Sequence, residues 1–393
     1  MPARINARRL SAWGAVVLLS AFWCVLAPPL IRAAWHDDFL CWYIGGKLAW
    51  SGDFHHMYDP AFQWSAQQSV LPEEPILSVF PRPPFFAAFV APLAALPYRT
   101  AFLVWLAIQI ALLGICMFWA WREFGDDALV WGALSGPAFF GIACGQDTSL
   151  LLALALAGYV LAERGQDRLA GAVWGLMLIK FNLVLALPLA MLATRRWRML
   201  QGFSLTGCCL GVFSVLVLGP EGLRLYFQML SSSALAKLNP TPRLMINLQS
   251  LAAHLGTQSV AFLAPATIVV LALGWLALRQ APLWRWLSVV LVVSLLVAPH
   301  VYAYNGALLL LPTWLVMFLS PFRWTKIAAA VYTLPPLFLL RLFGEYGAVI
   351  TPLCLLGLLA AFVAESACGA GLRPANVKVC SGPGYNARPC LKP

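Results

Sequence analysis

Long apolar runs constrain this chain more than any other feature. Residues 10–31, 101–121, 200–218 and 259–278 contain no charged side chain. About 20 consecutive apolar residues match the hydrocarbon core of a bilayer when helical. Lipid offers the backbone no hydrogen bonds, so a spanning segment must satisfy its own amides, as a helix does. The runs do not alternate on a two-residue period, which excludes the strands of an outer-membrane barrel. Composition agrees. Of 393 residues, 61% are hydrophobic and 10% charged, against roughly 25% charged in soluble domains. The mean hydropathy is +0.80. A soluble enzyme with one buried core is excluded, and so is a disordered chain. The expected fold class is all-α, a polytopic integral membrane protein of about twelve transmembrane helices.

The remaining expected spans are 128–144, 149–162, 169–179, 183–193, 283–297, 306–319, 327–342 and 348–363. Together they define a transmembrane domain over 1–363, followed by a Gly/Pro/Cys-rich tail, 364–393, that reads as disordered and cytoplasmic. Residues 85–97 are too short to span and rich in proline, and read as re-entrant or interfacial. The first apolar run exceeds the core of a cleaved signal, so it reads as a retained helix with a cytoplasmic N-terminus. Under that orientation the basic stretch Thr194-Arg195-Arg196-Trp197-Arg198 falls inside, as the positive-inside rule requires. The net charge of +11 is scattered singly at span ends. It forms no basic stripe, so nucleic acid is not an expected partner.

The first long loop, 32–84, is the least apolar stretch before the tail. It holds six acidic residues, Asp37, Asp38, Asp53, Asp59, Glu73 and Glu74, and the histidines His36, His55 and His56. Its aromatic residues suit short helices at the membrane interface. Most of the ten cysteines lie inside apolar runs, with no CxxC pair and no Cys/His cluster, so neither a disulfide framework nor a metal site is expected. No Gly-rich phosphate loop is present, and no cofactor is implied.

Five clusters could carry chemistry, and each has a bland alternative. Asp37-Asp38 directly follow the first helix. They are either a solvated helix end or carboxylates made more basic by desolvation among Trp35 and Phe39. Phe80-Pro81-Arg82-Pro83-Pro84 is either a proline-punctuated helix entry or a stiff mount presenting one guanidinium to a phosphate. Gly145-Gln146-Asp147 reads as a helix-connecting turn, or as a close backbone approach with Gln146 offering donor and acceptor. Lys180 sits where two half-length segments meet, and either snorkels or pairs with an anion. His300, Tyr302 and Tyr304 form either an aromatic belt or part of a sugar or phosphate site. All five fall on the same, outer side of the expected topology, which unrelated decorations would not do.

The ordered set resembles the GT-C superfamily of polytopic glycosyltransferases, and more closely glycosyltransferase family 87. The resemblance runs over about residues 10–360. It is carried by Asp37-Asp38 with Tyr43 and Gly52, FPRPPFFAAFVAPLAALP (80–97), GQDTSLLLALALAGYVL (145–161), the run ending at Lys180, LATRRWR, and PHVYAYNGALLLLP (299–312). It implies a GT-C-like fold with an outer cavity roofed by the first loop. It implies transfer of a sugar, mannose, from a polyprenyl-phosphate-linked donor to a lipid or glycan acceptor on the periplasmic face of the inner membrane. Asp37 or Asp38 would be the base. Arg82, Lys180, His300, Gln146, Tyr302 and Tyr304 would bind donor phosphate and substrate. Two departures stand out. Arg82 occupies a position where the family more usually has an aromatic, and Phe181 follows Lys180 where proline is common. The rival reading is a secondary transporter or lipid flippase. It fits less well, because the spans are nearly free of charge while transport sites gather ionisable groups at mid-membrane.

Overall fold

The computed structural model describes residues 7–34, 38–231, 241–257, 259–333 and 348–369. Asp37 and the tail beyond Gly369 lie outside the described residues. Among those described, every regular element is helical. Five helices are long and apolar enough to cross a membrane by length and composition: Arg9–Leu26, Tyr98–Phe124, Trp197–Ser231, Val260–Leu278 and Ile350–Cys368. Several other apolar runs form shorter or broken helices. The run at 128–144 divides into α6 (Asp126–Leu134) and α7 (Gly136–Ala143). Ser135 caps the second piece, and Pro137 pre-sets its first turn.

The first half of the long loop contributes a helix to the core. After α1 (Ala7–Ala34), α2 (Asp38–Trp50) buries Phe39, Leu40, Trp42, Tyr43 and Ile44. Gly46 lets the α2 backbone come close to α4 (Pro84–Val90), since a side-chain carbon there would lie 3.1 Å from the Val90 carbonyl. The Tyr43 hydroxyl donates to the Leu96 carbonyl at 2.8 Å. The proline-rich segment 85–97, expected to be re-entrant or interfacial, forms a pair of short helices, Pro84–Val90 and Ala91–Ala95, tied to α2. Farther along the loop, α3 (Pro60–Gln68) is anchored by Gln63, which donates to the Met57 carbonyl and accepts from the Phe80 amide.

α5 (Tyr98–Phe124) crosses beside α8 (Thr148–Glu163) and leaves Leu103, Ile110, Ile115 and Phe118 exposed. Exposed apolar faces of this extent fit a lipid surround rather than water. α9 (Asp167–Leu176) packs along α11 (Trp197–Ser231), with α10 (Ala186–Ala193) between them in sequence. The α9 and α11 backbones touch. A side-chain carbon on Gly171 would overlap the Met199 carbonyl oxygen, and one on Gly202 would overlap that of Arg168. α11 breaks at Gly219, where φ is +62°, just before Pro220.

After α12 (Leu248–His254) and α13 (Val260–Leu278), α14 (Leu283–Val297) is buried on every face. A helix apolar all round belongs at the centre of a bundle. α15 (Leu310–Leu319), α16 (Arg323–Thr333) and α17 (Ile350–Gly369) complete the described chain. α17 runs past 363, so the expected start of the tail at 364 falls inside a helix, and Glu365 is buried there. A cavity of about 700 Å³ lies between α1, α6, α15 and α16, lined by Ser11, Asp127, Trp131 and Lys326. None of the residues singled out by sequence lines it.

Candidate functional site

Segments between helices, rather than the helices themselves, bring polar side chains together at a second place. Phe80-Pro81-Arg82-Pro83 enters α4 in extended form, and the Tyr58 hydroxyl fixes it by donating to the Arg82 carbonyl at 2.6 Å. The Arg82 guanidinium lies 4.5 Å from the centre of the Trp42 ring and also faces Phe86. Stacking on an aromatic face suits a guanidinium better than an ammonium.

The α7–α8 turn supplies the anion. Gly145 has φ of +66°, which a residue with a side chain rarely adopts, and its carbonyl accepts from Trp105 Nε1 at 2.8 Å. The turn then delivers Gln146 and Asp147 at the head of α8. Asp147 stands at the N-cap position but makes no side-chain cap. Its carboxylate turns instead to two cations. Arg82 Nη2 approaches Oδ2 at 3.0 Å and Lys180 Nζ approaches Oδ1 at 3.0 Å, with all three residues buried.

Lys180 comes from the break between the two half-length segments. α9 passes into a 3-10 turn, Met177–Leu183, in which Lys180 leaves helical geometry at φ −129°, ψ 61°. Its ammonium also donates to Gln146 Oε1 at 3.2 Å and lies 5.3 Å from the Tyr304 ring centre. Arg82 Nη1 donates to the Ile179 carbonyl at 3.2 Å, so the two cations are held through one short segment. Asn182 Nδ2 donates to the His300 carbonyl at 3.0 Å and brings in the segment between α14 and α15. There His300 packs edge-on against Tyr302, and Tyr302 lies beside Tyr304.

Asp38, at the start of α2, acts electrostatically on Lys180 and so faces the same cluster. Of the residues picked out by sequence, Asp38, Arg82, Gln146, Lys180, His300, Tyr302 and Tyr304 therefore converge. Asp37 lies outside the described residues. Sequence reasoning passed over Asp147 as part of a turn, and it gave no functional role to Trp42, one aromatic of the first loop, or to Asn182, at the junction of the two half-length segments. Trp42 Nε1, Tyr302 Oη and both amide atoms of Asn305 are buried without a hydrogen-bond partner among the described residues. Groups of this kind are costly unless something pairs with them.

The electrostatics follow from burial. Burial alone would raise the Asp147 carboxyl, but Arg82 and Lys180 outweigh it and hold its pKa below the ordinary value. Burial pushes the Lys180 ammonium down to about 8, against the pull of Asp147. Burial, with Lys180 and Arg82 nearby, pushes His300 down to about 4. His300 is thus a neutral hydrogen-bonding group at neutral pH rather than a third cation. The fully buried triad thus holds two cations and one carboxylate, and the half-buried Asp38 at its edge is the nearest other negative charge.

The model of glycosyltransferase family 87 matches residues 80–299. This stretch contains Arg82, Gln146, Asp147 and Lys180 and stops one residue short of His300. Neither the curated proteins nor the solved structures gave a match.

Proposed function

The chain belongs to glycosyltransferase family 87, and from that premise we propose that it is a hexosyltransferase moving mannose from a polyprenyl-phosphate-linked donor to a lipid or glycan acceptor. The single observation that carries the donor class is the pair of buried cations, Arg82 and Lys180, held side by side on one buried carboxylate. A phosphodiester carries one negative charge, and guanidinium and ammonium groups held in place are suited to its oxygens. The chain reads as an inner-membrane protein with its N-terminus cytoplasmic and this cluster open to the periplasm, because its basic loops fall on the opposite side.

The reaction proposed is a direct displacement. Asp38, or Asp37 beside it, accepts the proton of an acceptor hydroxyl. The oxygen attacks the anomeric carbon on the face opposite the phosphate, and the bond from that carbon to the phosphate oxygen breaks. The sugar inverts, and polyprenyl phosphate leaves with a new negative charge. Arg82 and Lys180 stabilise that charge, a contribution that is usually the largest electrostatic one in such a step. Neutral His300 adds a hydrogen bond. Tyr302, Tyr304 and Trp42 supply ring faces suited to a sugar, Tyr302 and Trp42 add unpaired donors, and Gln146 orients Lys180.

The test is sugar transfer from radiolabelled polyprenyl-phosphate-mannose in membranes, comparing the wild type with Asp37→Asn and Asp38→Asn. Transfer that one folded variant abolishes is the expected result, and it identifies the base. Membranes that transfer nothing from mannose, glucose or arabinose donors would overturn the donor class.

A further inference from the structure

Asp147 is the one charged member of the cluster to which the displacement gives no task. It is fully buried, and each of its oxygens faces a different cation at 3.0 Å. A carboxylate tied to two cations is a poor base, so it does not compete with Asp38 for the acceptor proton. It does not cap α8 either, although Asp is a favoured residue there. Its geometry has another use. Arg82 and Lys180 come from segments far apart in the chain, and both are buried beside each other. Two like charges so placed repel, and the lysine is the one that can shed its proton.

We propose that Asp147 is a positioning residue that holds Arg82 and Lys180 together, both charged, as a preformed receptor for the phosphodiester of a lipid-linked substrate. This rests on the donor reading above. Asp147 does not touch the phosphate. It sits behind the two cations and keeps Lys180 protonated in a place where burial works against the charge. The other charged and titratable groups facing Lys180 are Arg82, which works against its charge, and Asp38, which supports it. His300 and Cys41 also lie within electrostatic reach, and the Tyr304 ring faces the ammonium.

The sign follows from these neighbours. Lys180 loses its proton near pH 8 in the intact protein. Removing the Asp147 charge removes the main support for the ammonium, so the proton is lost at lower pH. The Asp147→Asn variant should therefore bind donor nearly as the wild type does at pH 6. At pH 8 its donor KM should be higher by about tenfold, because kcat/KM reports the free enzyme's groups. Lys180→Arg leaves Asp147 paired and carries a charge that does not titrate, so its alkaline limb should vanish. That variant also serves if Asp147→Asn does not fold.

The experiment measures kcat/KM for the donor from pH 6 to 9 in purified full-length protein. In parallel it measures calorimetric binding of a prenyl methyl phosphodiester, whose charge is constant over that range. A limb that moves to lower pH in Asp147→Asn and disappears in Lys180→Arg supports the proposal. An Asp147→Asn variant that loses activity equally at every pH, or a Lys180→Arg variant that keeps the wild-type limb, overturns it. The two readings separate cleanly. Probe binding that shifts as stated, without sugar transfer, refutes the donor reading and keeps the receptor. Sugar transfer with pH-independent probe binding in all variants refutes the receptor and keeps the donor reading.

Discussion

Among the described residues two buried ionic clusters stand out, and they are built on opposite plans. At the first, two cations share the Asp147 carboxylate at 3.0 Å each. At the second, the Glu365 carboxylate accepts from Ser320 at 3.0 Å and Thr325 at 2.8 Å, while Arg285 stands 3.8 Å away. The second cluster is neutral, and hydroxyls rather than charges do most of the bonding. It joins the start of α14, the junction of α15 with α16, and the end of α17. The first sets two cations against one fully buried carboxylate, and Trp42 Nε1, Tyr302 Oη and Asn305 Nδ2 are buried without a partner among the described residues. Two buried cations beside unpaired donors suit an anion, whereas a carboxylate bonded by hydroxyls ties helices together. The contrast is between a cluster suited to bind an anion and one suited to brace helices.

The comparison can be broken most decisively at the carboxylates of the first helix end. Asp38→Asn or Asp37→Asn should reduce turnover by about 10²–10⁴-fold, the usual contribution of a general base, with the thermal midpoint unchanged. Transfer assays and thermal unfolding of the same preparations check this. Glu365→Ala should do the reverse. It strands Arg285 and should cost about 3 kcal/mol of stability, while turnover per folded molecule stays within about twofold. Loss of turnover at full stability would erase the distinction between site and brace. Lys180→Met should lower donor kcat/KM by roughly 10²-fold, comparable to losing one donor to a developing anion. Trp42→Phe keeps a ring under Arg82 but a weaker one. It should raise the donor KM by a few-fold, as expected for a modest change in cation–π contact.

Helix positions were largely legible in the sequence, since apolar runs report them directly. The run 283–297 coincides with α14, and 259–278 differs from α13 by one residue. Helix length was less legible. Glycine, serine and proline at 135–137 cut one expected span in two, and the pause at Lys180 separates α9 from α10. About twelve crossings remain an expectation beside five helices of full length. The burial of α2 was also hidden, because its aromatics read equally as interface or core.

Within the site, Arg82 and Lys180 were legible as isolated cations beside prolines or a helix break. Asp147 was not, although it sits in a motif already singled out. Its role depends on two partners from distant segments, one of them 33 residues away, and no local spacing rule reports that. Trp42 was equally hidden, being one aromatic among many in an aromatic loop.

The contact between α9 and α11 has a consequence for lipid. With Gly171 against Met199 and Gly202 against Arg168, the two backbones leave no gap for a hydrocarbon chain to enter. Gly175 likewise lies against Phe203 and Thr206, so the seam is closed at both glycines of the helix that leads to Lys180. A prenyl tail attached to a phosphate at Lys180 therefore does not run between α9 and α11 past Gly171 and Gly175.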